Sequence, residues 1–382
     1  METIDTKIAP AIRHGGHEMT ESDARAKMDA YINSHRDRAV KTMESIRDVV
    51  PQDRVIPAAA IEFKADEGQL QYIAPSGKKD GQKLVETFHR NALQQIADRL
   101  DVPMAYVDRV AAKGQWGLDL LAKDLQEHAD HSQDRYLVRS VNGQARGVLS
   151  DSFRRMDCRP GFMTLMEQAH AQGMIVSDGV FTDTRSSVKI IFPRPLEVFP
   201  GEWMVFGNEW SNSDYGRGAE NLREFFWRAW CWNGATGETI LRSVHQGKRL
   251  SDDIAYEQDT IEADARAHAL ALRDAARDGM SERRIHRMIE GIRAANETKI
   301  DGKARAEGLK KTLTKAEAEQ VVQAFNGADV ENMPAGNTLW RWSNAISWVG
   351  GKQEDADRRL DFERLAGEVL KPVMPKTEAR AA

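Results

Sequence analysis

The chain of 382 residues has only two cysteines, Cys158 and Cys231, and no CxxC spacing. That excludes a disulfide framework and suits a reducing cytosol, so a cytoplasmic location is expected. No apolar run approaches the ~20 residues needed to cross a bilayer, so no membrane partner is expected. The opening METIDTK has no basic stretch followed by an apolar one, so no signal peptide is expected either. HExxH, GxSxG and GxGxxG are all missing, as is any Cys/His metal cluster, and no metal site is assigned. "SGKKDG" lacks the spacing of a phosphate loop. These gaps leave open an active site assembled from distant positions. Excess charge of one sign is missing too. The net charge is −5, without the overall basic signature of a nucleic-acid binder.

What is present is 41% apolar and 30% charged, ordinary for a globular protein. Residues 1–20 have no periodicity and read as a flexible tail. A helix is expected over 21–49, capped by Thr20 or Ser22, with Pro51 beyond its end. Apolar runs at 58–63 and 69–73 flank a hairpin turn around Gly68. Helical spacing is read over 82–100, then in a short helix from Pro103 and another over 117–128. The clearest local signal is "RYLVRSVNGQARGVLS" (135–150), two strands around Asn142-Gly143, the pair preferred by a type I′ turn. A helix at 160–172 and strands at 174–181, 187–193, 203–209 and 238–245 follow, and "NEWSNSDYGRG" (208–218) reads as a loop. From 252 onward the pattern is helical.

The expected class is α+β: a mostly antiparallel sheet over about 135–245, flanked by helices, with a helical C-terminal region. The units are a tail at 1–20, a helical and hairpin part at 21–132, a central sheet domain at 133–250, a helical region at 251–371 and a tail at 372–382.

Aromatics are 7% of the chain, yet "REFFWRAWCWNG" (223–234) has five in twelve residues. Read as a helix, it puts Leu222, Phe225, Phe226, Ala229, Trp230 and Trp232 on one buried arc. Trp227 falls outside that arc, covered by Arg223, which makes it the candidate for stacking a base. Glu224 and Arg228 would pair at i,i+4, and Asn233-Gly234 would cap the helix.

A second candidate feature is cationic. Arg139, Arg146 and Arg154 gather around the 135–150 hairpin. Lys189 lies on a later strand, and Arg242, His245, Lys248 and Arg249 follow the last one. In a shared sheet they would line a groove for a polyanion; the plainer alternative is unrelated surface cations. Residues 281–315 hold ten Lys/Arg against five Asp/Glu, leaving about −10 on the rest of the chain. That segment could track phosphates or form a solvated helix face. Asp151 and Asp214 are weak candidates for a Mg²⁺ ion, against plain turn formation; no other cofactor is expected.

Five blocks in order, "RYLVRSVNGQARGVLSDSFRRMD", "SNSDYG", "FWRAWCWNG", "RSVHQGKRL" and "LWRWSNAISWVGG…FERLAG", resemble the phage/plasmid-like proteins of domain-of-unknown-function family 932. The resemblance spans roughly residues 82–370. It rests on Arg139, Ser150, Asp151 and Phe153; on Asn212, Ser213, Asp214 and Gly216; on Arg228, Cys231, Asn233 and Gly234; on Arg242 and His245; and on Asn344 and Ala345. Phe153 stands where the family usually has Tyr, and residues 252–330 match no block. The resemblance implies a mobile-element protein of the bacterial cytoplasm without an assigned activity.

The leading expectation is a single-stranded DNA- or RNA-binding protein of a phage or plasmid, of the strand-annealing type used in recombination or replication, acting as a homo-oligomer. Arg223 and Arg228 join the other cations in contacting phosphate. The first alternative is an enzyme on nucleotides or nucleic acid, with Asp151, Asp214 and His245 as metal or acid–base groups. The second is a host-directed, anti-defence interaction protein.

Overall fold

The computed structural model describes residues 18–76, 82–232, 234–243, 258–279, 281–309, 311–327, 330 and 332–375. The first element, α1 (Glu21–Asp48), starts where the sequence places it. Thr20 Oγ1 accepts from Asp23 N–H at 3.2 Å, and the Asp23 carboxylate accepts Thr20 N–H at 3.0 Å. This reciprocal box satisfies two of the donors that every helix start leaves open.

β1 (Gln52–Pro57), β2 (Glu62–Asp66), β3 (Gln69–Pro75) and β4 (Lys83–Phe88) follow, then α2 (Arg90–Arg99), α3 (Met104–Ala111), α4 (Gln115–Asp130), β5 (Arg135–Val141) and β6 (Gln144–Ser150). The six strands form one sheet in the order β1-β5-β6-β4-β3-β2, antiparallel except for the β4–β6 pair. Strands from both sides of residue 133 therefore share this sheet. Both expected hairpins are present. Glu67 and Gly68 turn at φ 48 and 75, Asn142 and Gly143 at φ 50 and 76, as the type I′ geometry requires. The helix expected from residue 82 begins only at Arg90; "KLVETF" is β4, paired with β3.

The first sheet is curled. Arg54 on β1 donates to Tyr72 OH on β3 at 3.1 Å, although four strand spacings, about 19 Å in a flat sheet, separate the two strands. The hollow is filled by Ile56, Tyr72, Tyr136 and Val138 packed against Ile96, Leu121 and Leu125 of the helices.

α5 (Cys158–Ala171) leads into β7 (Ile175–Phe181), β8 (Ser186–Ile191), β9 (Leu196–Phe199), β10 (Glu202–Asn212), β11 (Glu220–Arg228) and β12 (Gly234–Ser243). Their sheet runs β12-β11-β10-β8-β7, with β9 paired to β10, and every pairing is antiparallel. The strands expected over 135–245 are thus divided between two sheets. Beyond them lie α6 (Gln258–Gly279), α7 (Glu282–Glu297), α8 (Gly302–Leu309), α9 (Lys315–Asn326), α10 (Leu339–Gly351) and α11 (Ala356–Glu368). The architecture is α+β with a helical C-terminal region.

Residues 220–228 form a strand, not a helix, and are paired on both sides. The reason is burial of both faces. Phe225 and Trp227 pack against Met28 and Tyr31 of α1, while Phe226 packs against Trp340 of α10. A strand buried on both faces loses its alternation, and its apolar run then reads equally well as a helix. Residues 208–212 likewise end β10 and are buried; the loop starts only at Ser213.

Candidate anion-binding site

The registers of β7, β8, β10 and β11 place four charged residues in one row across the second sheet. Asp178 lies opposite Lys189, Lys189 opposite Glu209, and Glu209 opposite Arg223. Opposite charges on facing strands attract, and the signs alternate across the row. Helix α11 reaches the row with two consecutive residues. Glu363 Oε1 accepts from Lys189 Nζ at 2.6 Å, and Arg364 Nη2 lies 3.4 Å from Glu209 Oε1. Ser187 donates to Glu209 at 3.0 Å. From α1, Arg38 holds Asp178 at 2.7 Å.

Arg223 is the exception in this row. It is half-buried, and among the described residues it has no carboxylate at ion-pair distance; its Nη1 donates to Ser211 Oγ at 3.4 Å. Arg364 Nη2 donates to the same Ser211 Oγ, also at 3.4 Å. Two guanidinium groups therefore converge on one neutral hydroxyl at long range. Arg185, just before β8, is held by the half-exposed Asp357 at 3.4 Å.

Burial pushes the Arg223 guanidinium down to about 10, and the nearby Arg364 and Arg185 add to this against the pull of Glu209. Burial and Arg364 lower Arg185 as well. Glu209 moves below the usual carboxylate range, because Arg364, Arg223 and Lys189 outweigh its burial. Burial keeps the Glu363 carboxyl above that range. Glu209 Oε2, Glu363 Oε2 and Arg364 Nε are buried with no hydrogen-bond partner among the described residues. The unpartnered carboxylate oxygens disfavour an anion, but Arg364 Nε and the Arg223 guanidinium are donors with spare capacity, and planar guanidinium groups match the oxygens of phosphate or carboxylate.

Among the described residues, only Lys189 and Arg223 of the cations expected from sequence to contact phosphate come together here. Arg139 belongs to the first sheet and is 1% exposed, with Asp53 at 2.8 Å, Asp157 at 2.7 Å and the Asp214 carbonyl at 2.8 Å. It is a joint between the sheets, not a phosphate ligand. Arg146 pairs with Asp183 at 2.9 Å and lies over the Tyr215 ring; Arg154 pairs with Asp264 at 2.6 Å. Arg228 is buried on the opposite face of β11, where it grips both oxygens of Glu202. Arg242 is exposed near the end of β12. Asn233, His245, Lys248 and Arg249 lie outside the described residues. The basic 281–315 segment is not one solvated face, since Arg284 and Arg287 turn inward to Glu224 and Arg293 bonds the Val198 carbonyl at 2.6 Å.

Trp227 does not offer a face for stacking. It is 0% exposed and its ring lies on Tyr31 at 4.7 Å. Arg223 does not cover it, because four residues of strand separate the two by about 13 Å, where one helical turn would have brought them together. The expected Glu224–Arg228 pair is absent for the same reason: Glu224 takes Arg284 and Arg287 instead.

The residues that carry the resemblance have structural partners. Asn212 Nδ2 donates to the Met156 carbonyl at 2.7 Å, and Ser213 Oγ donates to the Thr184 carbonyl at 2.6 Å. Asp214 Oδ1 accepts from Cys158 N–H at 2.7 Å; burial and Asp157 hold its carboxyl above the usual range. The Tyr215 carbonyl accepts from Asn91 and Gln95 of α2. Gly216 sits at φ 73, where a Cβ would come within 2.6 Å of Leu149. The "SNSDYG" loop therefore fastens the second sheet to the first. Ser150 accepts from Ser152, and Asp151 is exposed on the turn after β6. Among the described residues, no group of three or more His, Cys, Asp or Glu is arranged to hold a metal ion. Cys231 lies beside Arg228, and Gly234 opens β12 where a Cβ would press on Phe225.

Sequence reasoning missed Glu209, Arg364, Glu363, Arg185 and Ser211. One local signal for Glu209 was its place as a carboxylate inside the apolar run "WMVFGNEW". No family model, curated protein or solved structure matches the chain, so the fold and this geometry carry the functional reading.

Proposed function

We propose that the protein binds single-stranded DNA or RNA of a phage or plasmid, taking a backbone phosphate at Arg223 and Arg364. The observation that carries this is the convergence of the two guanidinium groups on Ser211 Oγ, at a distance where a phosphate oxygen would be the better acceptor. Arg185 adds a third positive charge nearby, and Glu209 fixes Arg364 from below. Binding of this kind needs no bond-making chemistry, and it agrees with the resemblance to the phage and plasmid family. In this reading the protein works in the host cytoplasm as a homo-oligomer that holds strands for annealing.

Fluorescence polarisation with a labelled oligonucleotide across a salt series tests this. Affinity should fall linearly in log–log form as salt rises. Arg223→Gln should weaken binding to all sequences alike and flatten the salt slope by about 1, the signature of one lost phosphate contact. No binding at low salt, or an Arg223→Gln variant with the wild-type slope, rules the proposal out.

A further inference from the structure

The turn after β11 holds an aromatic residue in an unusual conformation. Trp232 has φ 56, a left-handed backbone that bulky residues rarely adopt, and it is 38% exposed. Neighbours other than its own side chain pin this turn. Ala229 N–H donates to the Trp203 carbonyl at 2.9 Å, and Trp232 N–H to the Arg228 carbonyl at 3.0 Å. Trp230 Nε1 donates to the Gly201 carbonyl at 2.8 Å. Arg228 Nη1 donates to the Asn332 carbonyl at 2.6 Å, and Asn332 Nδ2 to the Trp230 carbonyl at 3.3 Å. The backbone is thus held in place while the Trp232 ring projects.

The ring stands at the end of an aromatic column. Tyr31 lies on buried Trp227, and His35 lies on Tyr31 with centroids 4.1 Å apart. Trp232 meets Tyr31 and His35 edge-on, at 78° and 76°. His35, the outermost ring of the column, is partly exposed, so the two rings form an open corner.

We propose that one nucleobase stacks on the Trp232 ring in this corner with its edge toward His35, an inference that rests on the nucleic-acid reading above. A protein partner would need a contiguous apolar patch. Here the exposed chain neighbours of His35 are polar, Ser34, Arg36 and Asp37, and the residues one helical turn away are buried Tyr31 and Ala39 with half-buried Ile32 and Arg38. Base stacking needs only one ring face and tolerates any sequence. Trp227 is four residues of strand from Arg223, about 13 Å, and the stacked rings add 4.7 and 4.1 Å to reach His35, so a single strand of a few nucleotides is long enough to reach both sites.

Three proteins and two ligands test this. Wild type, Trp232→Phe and Trp232→Gly are titrated with an oligothymidylate and with an abasic strand of the same length. Glycine suits the left-handed backbone, so Trp232→Gly removes the ring without straining the turn. Its affinity for the oligothymidylate should fall roughly 10-fold. Its affinity for the abasic strand should match wild type, and Trp232→Phe should lie between. The inference is overturned if Trp232→Gly binds the oligothymidylate like wild type, or loses both ligands equally; the phosphate site would survive the first of these results. If wild type binds neither strand at low salt, both proposals fall together.

Discussion

β11 carries two arginines five residues apart, on opposite faces, and their surroundings differ in one respect. Arg228 is closed on every side: both oxygens of Glu202, the Asn332 carbonyl and Cys231 Sγ surround it. Burial alone would lower its proton affinity, yet Glu202 raises it well above the ordinary range. Arg223, half-buried, has only a shared hydroxyl and is pushed the other way, down to about 10. A buried cation that serves the fold meets its counter-charge within the chain. One left underpaired gains most from an external anion, because desolvation has already weakened its ties to water.

Substitutions on the two faces should separate these roles. The largest effect is expected at the aromatic column: Trp227→Ala should cost about 4 kcal/mol in denaturant unfolding, the range for emptying a buried tryptophan site. A loss under about 1 kcal/mol would mean that the core is not where the structure places it. Arg228→Met should cost about 3 kcal/mol, because Glu202 would be left buried without its partner. Arg223→Met should cost less than about 1 kcal/mol, since it strands no carboxylate at ion-pair distance. Equal losses for the two arginines would erase the distinction between the faces.

A milder case is a paired but hydrated bridge. Arg358, with Thr314 adding to its effect, lowers Glu317 to about 2 in the folded protein. A carboxylate depressed in this way stabilises the fold above its unfolded value near 4.5, and the contribution is lost as pH falls toward 2. Glu317→Gln should therefore lower stability at pH 7 and flatten its decline between pH 4.5 and 2, as followed by urea unfolding. An unchanged acid limb would show that the bridge is not held in solution.

The legible parts of this fold were local. Thr20 with Asp23, Glu67-Gly68 and Asn142-Gly143 each act within four residues, so composition and spacing reveal them. The run 223–234 was misread because its apolar residues lie on both faces of a strand, and only pairing with β10 and β12 decides between strand and helix. β4 was lost in the same way, merged with the helix that follows it. The site was less legible still. Lys189, Glu209 and Arg223 meet through strand register, and Arg364 arrives from more than 140 residues away. Charge clustering along the chain pointed instead to Arg139 and Arg154, which bind nearby carboxylates.

The row Asp178–Lys189–Glu209–Arg223 has a further consequence for assembly of the chain. Side chains alternate along a strand, so a one-residue slip of β10 would swing Glu209 to the face where Trp210 packs with Leu222, and would bring Trp210 among the charges. Glu209 would then leave the face it shares with Lys189 and Arg223. The alternating charges thus favour one alignment of the sheet, and Arg223, proposed to hold phosphate, is also one of the residues that mark it.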